Sequence, residues 1–229
     1  MRTFYFLAIS SIIFFASSCS SNSKLAKQDA YKGIYDEKPL SVLIMPPINR
    51  STNVRAKEYF HSTLNVPIAN AGYYVIPPFL SMEILKRESA YDADLFLNSR
   101  LSKFREIFGA DVALFTIIHE WRKSTLKSNI YVEVEYIFKS TQTNEILYNR
   151  KGAVTYDTSA NATAGIGLTS ILVNMIASAI NTAVTKHVLV ARACNQHTFK
   201  DLPAGKYNPV FGTDGLKKAG KQEFKVKLN

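Results

Sequence analysis

The sequence predicts an α/β fold, a single domain with a mixed β-sheet and helices packed against it. Three observations carry that prediction. Apolar runs at 40–45 and 73–76, each stopped by a proline pair, have the length of buried strands and not of helices. The segments between them space their apolar residues at helical intervals. Beyond Gly109 the apolar period falls to two, as in a half-buried antiparallel hairpin. A chain of 229 residues, 47% hydrophobic and 20% charged, suits one domain with extensions and excludes a disordered, collagen-like or polytopic membrane protein.

The first element is a leader. Met1-Arg2-Thr3 is positively charged, 4–15 is apolar and uncharged, and Ala16-Ser17-Ser18 supplies small residues before Cys19. The apolar run is too short to cross a bilayer, so 1–18 is expected to be a signal peptide. Small residues leading to a cysteine resemble the lipobox of bacterial lipoproteins, with Ala16 where leucine is usual. That resemblance implies cleavage before Cys19 and acylation of its thiol, palmitate included. An ordinary signal peptide cut near Ser17 is the alternative. Loss of Arg2 leaves one basic residue fewer and a mature net charge of +9 instead of +10. Ser20, where Asp would signal inner-membrane retention, resembles the sorting pattern for the outer membrane, facing the periplasm. Residues 19–35 are expected to be a lipidated flexible tether, because 20–30 are mostly small and polar.

The α/β domain is expected over 36–202. A strand at 40–45 ends at Pro46-Pro47, and 53–65 is helical, with Pro67 kinking or restarting the helix before Gly72 ends it. A second strand covers 73–76. Short helices follow at 81–87 and 101–108, the latter capped by Gly109. A strand at 112–120 precedes the alternating run Ile130, Val132, Val134, Tyr136 and Phe138, and 145–156 returns after a turn at 141–144. Residues 158–185 carry no charge, yet Leu168, Leu172, Met175, Ile176 and Ala179 form one helical stripe beside polar neighbours. This is the pattern of a core-packing amphipathic helix, not a membrane span. Residues 203–229 are expected to form an irregular C-terminal arm. Its basic tail holds Lys217, Lys218, Lys221, Lys225 and Lys227, with a short lysine-protected edge strand at its end.

Four segments together resemble one bacterial lipoprotein family, that catalogued as domain of unknown function 799. They are SVLIMPPINRS (41–51), VPIANAGYYVIPP (66–78), KFREIFGADVALF (103–115) and LPAGKYNPVFGTDG (202–215), and the likeness spans essentially the whole mature chain. It implies an outer-membrane-associated lipoprotein whose domain is similar to the N-terminal domain of the translocation protein TolB. It also implies genes alongside for a lipoprotein like the curli secretion channel and for a small third lipoprotein. No catalytic residue is carried over.

Cys194 and His197 are spaced as two metal ligands, but a second pair is missing, so no metal site is expected. Cys194 with His187 or His197 lacks an acidic orienting group for nucleophilic catalysis. Glu133 and Glu135 share a strand face with Glu145 beyond the turn, which an ordinary solvated hairpin face also produces. Asp111 suits turn or cap chemistry. Gly165-Ile166-Gly167 lacks the third glycine of a dinucleotide loop. The expectation is therefore a non-enzymatic component of an envelope secretion or surface-assembly complex, without cofactor, catalytic residue or nucleic-acid partner. Its expected partners are outer-membrane lipid through Cys19, other envelope lipoproteins (a curli-secretion-channel-like one among them) and further copies of itself. Leu168, Leu172, Met175, Lys217, Lys218 and Lys221 are the expected partner-binding residues. A periplasmic binding module for an anionic cell-wall or lipid component is the alternative.

Overall fold

The strands β1 (Ser41–Ile44), β2 (Ile48–Asn49), β3 (Tyr74–Val75), β4 (Val112–Lys123), β5 (Asn129–Ser140), β6 (Ile146–Asp157) and β7 (Glu223–Leu228) form one mixed sheet in the order β3-β1-β4-β5-β6-β7, with β2 also paired to β4. The computed structural model describes residues 25–124, 129–158 and 183–228. Parallel pairings join β1 to β3 and to β4, and β2 to β4. Antiparallel ladders join β4 to β5 and β5 to β6, and β7 runs parallel to β6. The mixed α/β sheet expected from the sequence is the one observed.

Burial follows from which faces are covered. All four residues of β1 are buried, because helices pack on both of its faces, and this accounts for its unbroken apolar run. On one face α3 (Ala56–Asn70) and α6 (Ala183–Phe199) enclose Val42, Ile44, Leu114, Ile118, Val134, Tyr136 and Phe138. On the other, α4 (Pro78–Arg87), a 3-10 turn at Ala93–Phe96 and α5 (Ser102–Phe108) cover Leu43, Met45, Ala113 and Phe115. Gly109 caps α5 with φ 64°, in the left-handed region that glycine favours.

Two local expectations are corrected. Residues 27–37, placed mostly in a flexible tether over 19–35, form the short helices α1 (Lys27–Ala30) and α2 (Lys32–Glu37). Their Tyr31 and Ile34 sit in the core, with the Tyr31 ring 4.9 Å from that of Tyr148. Burying two such side chains contributes roughly 1.5–3 kcal/mol each, enough to order a segment with little apolar content. Helix α3 runs through Pro67 without restarting, because this proline lies in the last turn with its side chain buried. The edge strand expected at the C-terminus forms as β7, and the irregular arm before it is fastened to the N-terminal segment.

The sheet has two distinct ends. At one, α2 meets the β5–β6 turn through Thr143 Oγ1, which donates to Glu37 Oε1 at 2.7 Å. At the other, Trp121 pairs with Val132, and the ring of Tyr59, in the first turns of α3, lies 5.7 Å from Trp121. The His187 ring, 5.6 Å from Trp121, places the start of α6 at this second end as well. Asp157, opposite Asn129 in the ladder, lies there too.

Candidate functional site

Basic residues on the C-terminal arm surround the place where the N-terminal segment joins the domain. Lys27 N donates to Lys217 O at 2.8 Å, Gln28 N to Gly215 O at 3.0 Å and Ala219 N to Leu25 O at 2.8 Å. Ala26 and Lys218 form an antiparallel bridge. With its backbone so engaged, the arm turns the side chains of Leu216, Lys217, Lys218 and Lys221 to solvent.

Two carboxylates hold the arm down, the buried Asp214 and the partly buried Asp201. Asp214, 3% exposed, accepts from Ala204 N and from Tyr35 Oη, both at 3.0 Å, and lies 3.8 Å from Lys27 Nζ. Lys27 is itself buried and donates to Leu202 O at 3.3 Å. Burial pulls the Lys27 ammonium below its ordinary range, and the nearby charges of Asp201 and Asp214 oppose that shift. Asp201 accepts from Tyr31 Oη and, through both oxygens at 2.9 Å, from Gly220 N. The buried Arg150 completes the clasp, donating to Lys221 O from Nε and Nη2 at 3.1 Å and to Thr198 O from Nη1 at 2.9 Å. Its guanidinium lies 4.5 Å from the centre of the Phe224 ring on β7.

A shallow cleft opens beside this clasp, between α2 and the arm, lined by Ile34, Tyr35, Tyr73, Pro203, Gly205 and Phe211. Gly72, with φ 95°, makes the close approach of α3 to the arm feasible: a Cβ there would lie 2.5 Å from Asn208 N. Tyr73 Oη donates to Pro203 O at 2.9 Å.

The remaining chemical candidates are structural in their surroundings. Cys194 is fully buried on α6, and burial pushes its thiol up to about 12, so little nucleophilic thiolate exists at neutral pH. Its neighbours do not form a relay. His197 packs on Phe224 and His187 against Tyr59 and Trp121. Glu135 accepts from Asn149 Nδ2 at 3.0 Å and contacts His119 Nε2 at 3.0 Å, while Glu133 pairs with Lys151 at 2.6 Å. Lys151 holds the Glu133 carboxyl below its usual range, against the weaker push of burial. These are the cross-strand pairs of a solvated sheet face. Asp111 accepts from Leu40 N and Ser41 N at 2.9 and 3.1 Å and pairs with Arg105, tying the end of α5 to the start of β1. Among the described residues, no group of three His, Cys, Asp or Glu side chains is placed to hold a metal ion.

The structure thus gathers Lys217, Lys218 and Lys221 along one exposed arm. Cys19, Leu168, Leu172 and Met175, together with the glycines at 165 and 167, lie outside the described residues. The Lys27, Asp201, Asp214 and Arg150 clasp was not anticipated. Its one sequence signal was Asp214-Gly215 within the GTDG turn, which marks a turn but not its distant partners.

Comparison with known proteins decides the family. The family model described as "Putative lipoprotein GNA1162-like" matches residues 29–207, well over half of the chain. The chain belongs to this family. A curated relative, "Putative lipoprotein NMB1124/NMB1162" of Neisseria meningitidis serogroup B (strain ATCC BAA-335 / MC58), is 27% identical over 154 residues. That alignment covers 66% of this chain and 71% of the relative. The crystal structure of lipoprotein GNA1162 from Neisseria meningitidis is similar with a TM-score of 0.50 and 25% identity, over 61% of this chain and 96% of that one. The C-terminal domain of LpoB from Escherichia coli gives a TM-score of 0.38 and 17% identity, over 56% and 94% of the respective chains. Membership places this chain among lipoproteins. Among the described residues, no helix is long and apolar enough to cross a membrane.

Proposed function

We propose that the protein is a non-enzymatic lipoprotein anchored in the outer membrane through acyl chains on Cys19 and facing the periplasm. There it serves as a component of a secretion or surface-assembly complex with other lipoproteins. The observation that carries this reading is membership of a lipoprotein family by a chain whose Cys19 follows a lipobox-like leader. The resemblance to the family catalogued as domain of unknown function 799 supplies the assembly: a curli-secretion-channel-like lipoprotein is the proposed partner, and self-association the proposed stoichiometry. Two acyl chains, at about 0.8 kcal/mol per buried CH₂, suffice to hold such a domain stably at the bilayer.

The proposed partner-docking surface is the apolar stripe of Leu168, Leu172 and Met175. The described flanks of that stripe, Asp157 and the start of α6, stand at the end of the sheet away from α1 and α2. In-cell crosslinking followed by detergent purification tests the assembly. A second lipoprotein should co-purify stoichiometrically with wild type and be lost with Leu172→Glu or Met175→Glu. A monodisperse, partner-free monomer in every detergent would defeat the proposal.

A second reading is favoured by one observation, the exposed Lys217, Lys218 and Lys221. In it the protein binds an anionic lipid or cell-wall component. Binding should then weaken steeply with salt, because exposed charges are screened within about 8 Å at physiological ionic strength.

A further inference from the structure

We propose that the surface where the N-terminal segment joins the arm, built from Leu25, Leu216, Lys217, Lys218 and Lys221, rests on the anionic phospholipid headgroups of the bilayer that holds Cys19. This deepens the proposed function and rests on its lipid anchor. The first argument is a leash. Five residues lie between Cys19 and Leu25, six steps along the chain. At about 3.3–3.6 Å per residue even full extension spans only about 22 Å. Leu25 is fixed to the domain by its hydrogen bond from Ala219 N. The twelve residues of β5 alone extend about 40 Å. The leash is therefore shorter than the domain, and the half bearing the arm must face the lipid.

The second argument is the character of that half. Leu25 and Leu216 are 58% and 82% exposed, side by side with the exposed Lys217 and Lys218 across the Ala26–Lys218 bridge. Bare leucines among lysines suit a headgroup layer, where the apolar side chains enter the boundary and the ammonium groups meet phosphate. Two of the acidic side chains beside them are turned inward: Asp214 toward Lys27 and Tyr35, Asp201 toward Tyr31 and Gly220. Exposed Asp29 and Glu223 flank the surface without interrupting Leu216-Lys217-Lys218. A solvated arm would have no need of two unpacked leucines, and a leash of this length would not leave it far from the bilayer.

The test places an environment-sensitive fluorophore on the acylated full chain, reconstituted in vesicles containing doxyl-quencher lipid. One sample carries it at Leu216→Cys and the other at Val54→Cys, an 83% exposed position before α3 at the opposite end of the sheet. Acylation blocks Cys19 and burial protects Cys194, so labelling is specific. In vesicles containing phosphatidylglycerol, the probe at 216 should be quenched and the probe at 54 should not. Quenching at 216 should vanish in high salt or in pure phosphatidylcholine. The triple substitutions Lys217→Glu, Lys218→Glu, Lys221→Glu and the milder Lys→Gln set should both abolish it. Each lysine removed lowers the docked-to-undocked ratio about fivefold. Equal quenching at both positions, or indifference to lipid charge, overturns the docking surface. Flotation of the same samples separates the two levels. Protein that floats without quenching at 216 refutes this surface alone, whereas protein that fails to float refutes the anchor and this surface with it.

Discussion

Replacing Asp214 with alanine should unfasten the arm at a cost of about 3 kcal/mol. The carboxylate is almost fully buried, accepts two hydrogen bonds at 3.0 Å and lies 3.8 Å from a buried ammonium. Breaking a buried charge pair by removing one partner costs about 3–5 kcal/mol, since the other charge is left uncompensated. The lower figure applies here for two reasons. Lys27 retains Leu202 O and the neighbouring charge of Asp201. Burial has also lowered its pKa already, so the lysine can shed its proton when stranded. Equilibrium urea unfolding of wild type, Asp214→Ala, Lys27→Met and the double variant measures the effect. The double variant should be more stable than the sum of the singles by about 1–2 kcal/mol, because the second substitution removes the charge that the first left bare. Additive costs, or a change below about 1 kcal/mol for Asp214→Ala, would refute the clasp as the element that seats the arm.

Gly72→Ala forces a side chain into a backbone with φ 95° and against Asn208, so it should cost more than about 2 kcal/mol and expose residues 203–215 to protease. Gly152→Val drives a side chain into the Phe224 ring and should lift β7 from β6, at about 1–3 kcal/mol, seen as earlier C-terminal proteolysis. Native protein should leave Cys194 unreactive to a thiol reagent at about pH 8, with full reaction only after denaturation; rapid native labelling would contradict its burial. Burial lowers His61, His187 and His197 below the ordinary 6.5. Between that value and the lowered one the unfolded chain binds more protons. Stability should therefore be full above about pH 7 and decline as pH falls through 6.5 toward the folded-state values. His61→Phe, which removes a buried Nε2 without a hydrogen-bond partner, should flatten part of that slope in urea titrations at several pH values.

Local pattern was enough wherever one element decided its own conformation. Alternation from Ile130 to Phe138 predicts β5 because one face is buried and the other is solvated, and the burial pattern follows it from Ile130 to Tyr136, after which the second core covers Ile137 as well. The run at 40–45 predicts a strand covered on both faces, and Gly109 predicts the end of α5. Pattern failed where the partner is distant in sequence. Tyr31 and Ile34 are too sparse to announce two helices, and Gly33 argues against any. Partners more than a hundred residues away, Leu147 and Tyr148 among them, make that segment pack. Asp214 in a glycine turn resembles any surface aspartate until Tyr35 and Lys27 are brought to it. Lys217, Lys218 and Lys221 were visible as a basic run, but their position beside the tether is set by backbone bonds between residues 25–28 and 215–219, which carry no sequence signature.

The central claim is the anchor, and metabolic labelling tests it most directly. Wild type and Cys19→Ala would be expressed in a diderm host with a clickable palmitate analogue, and the membranes then fractionated. The account predicts label on wild type alone, recovered with the outer membrane, and an unlabelled Cys19→Ala chain that no longer sediments with it. Label that persists without Cys19, or an unlabelled wild type, would contradict it.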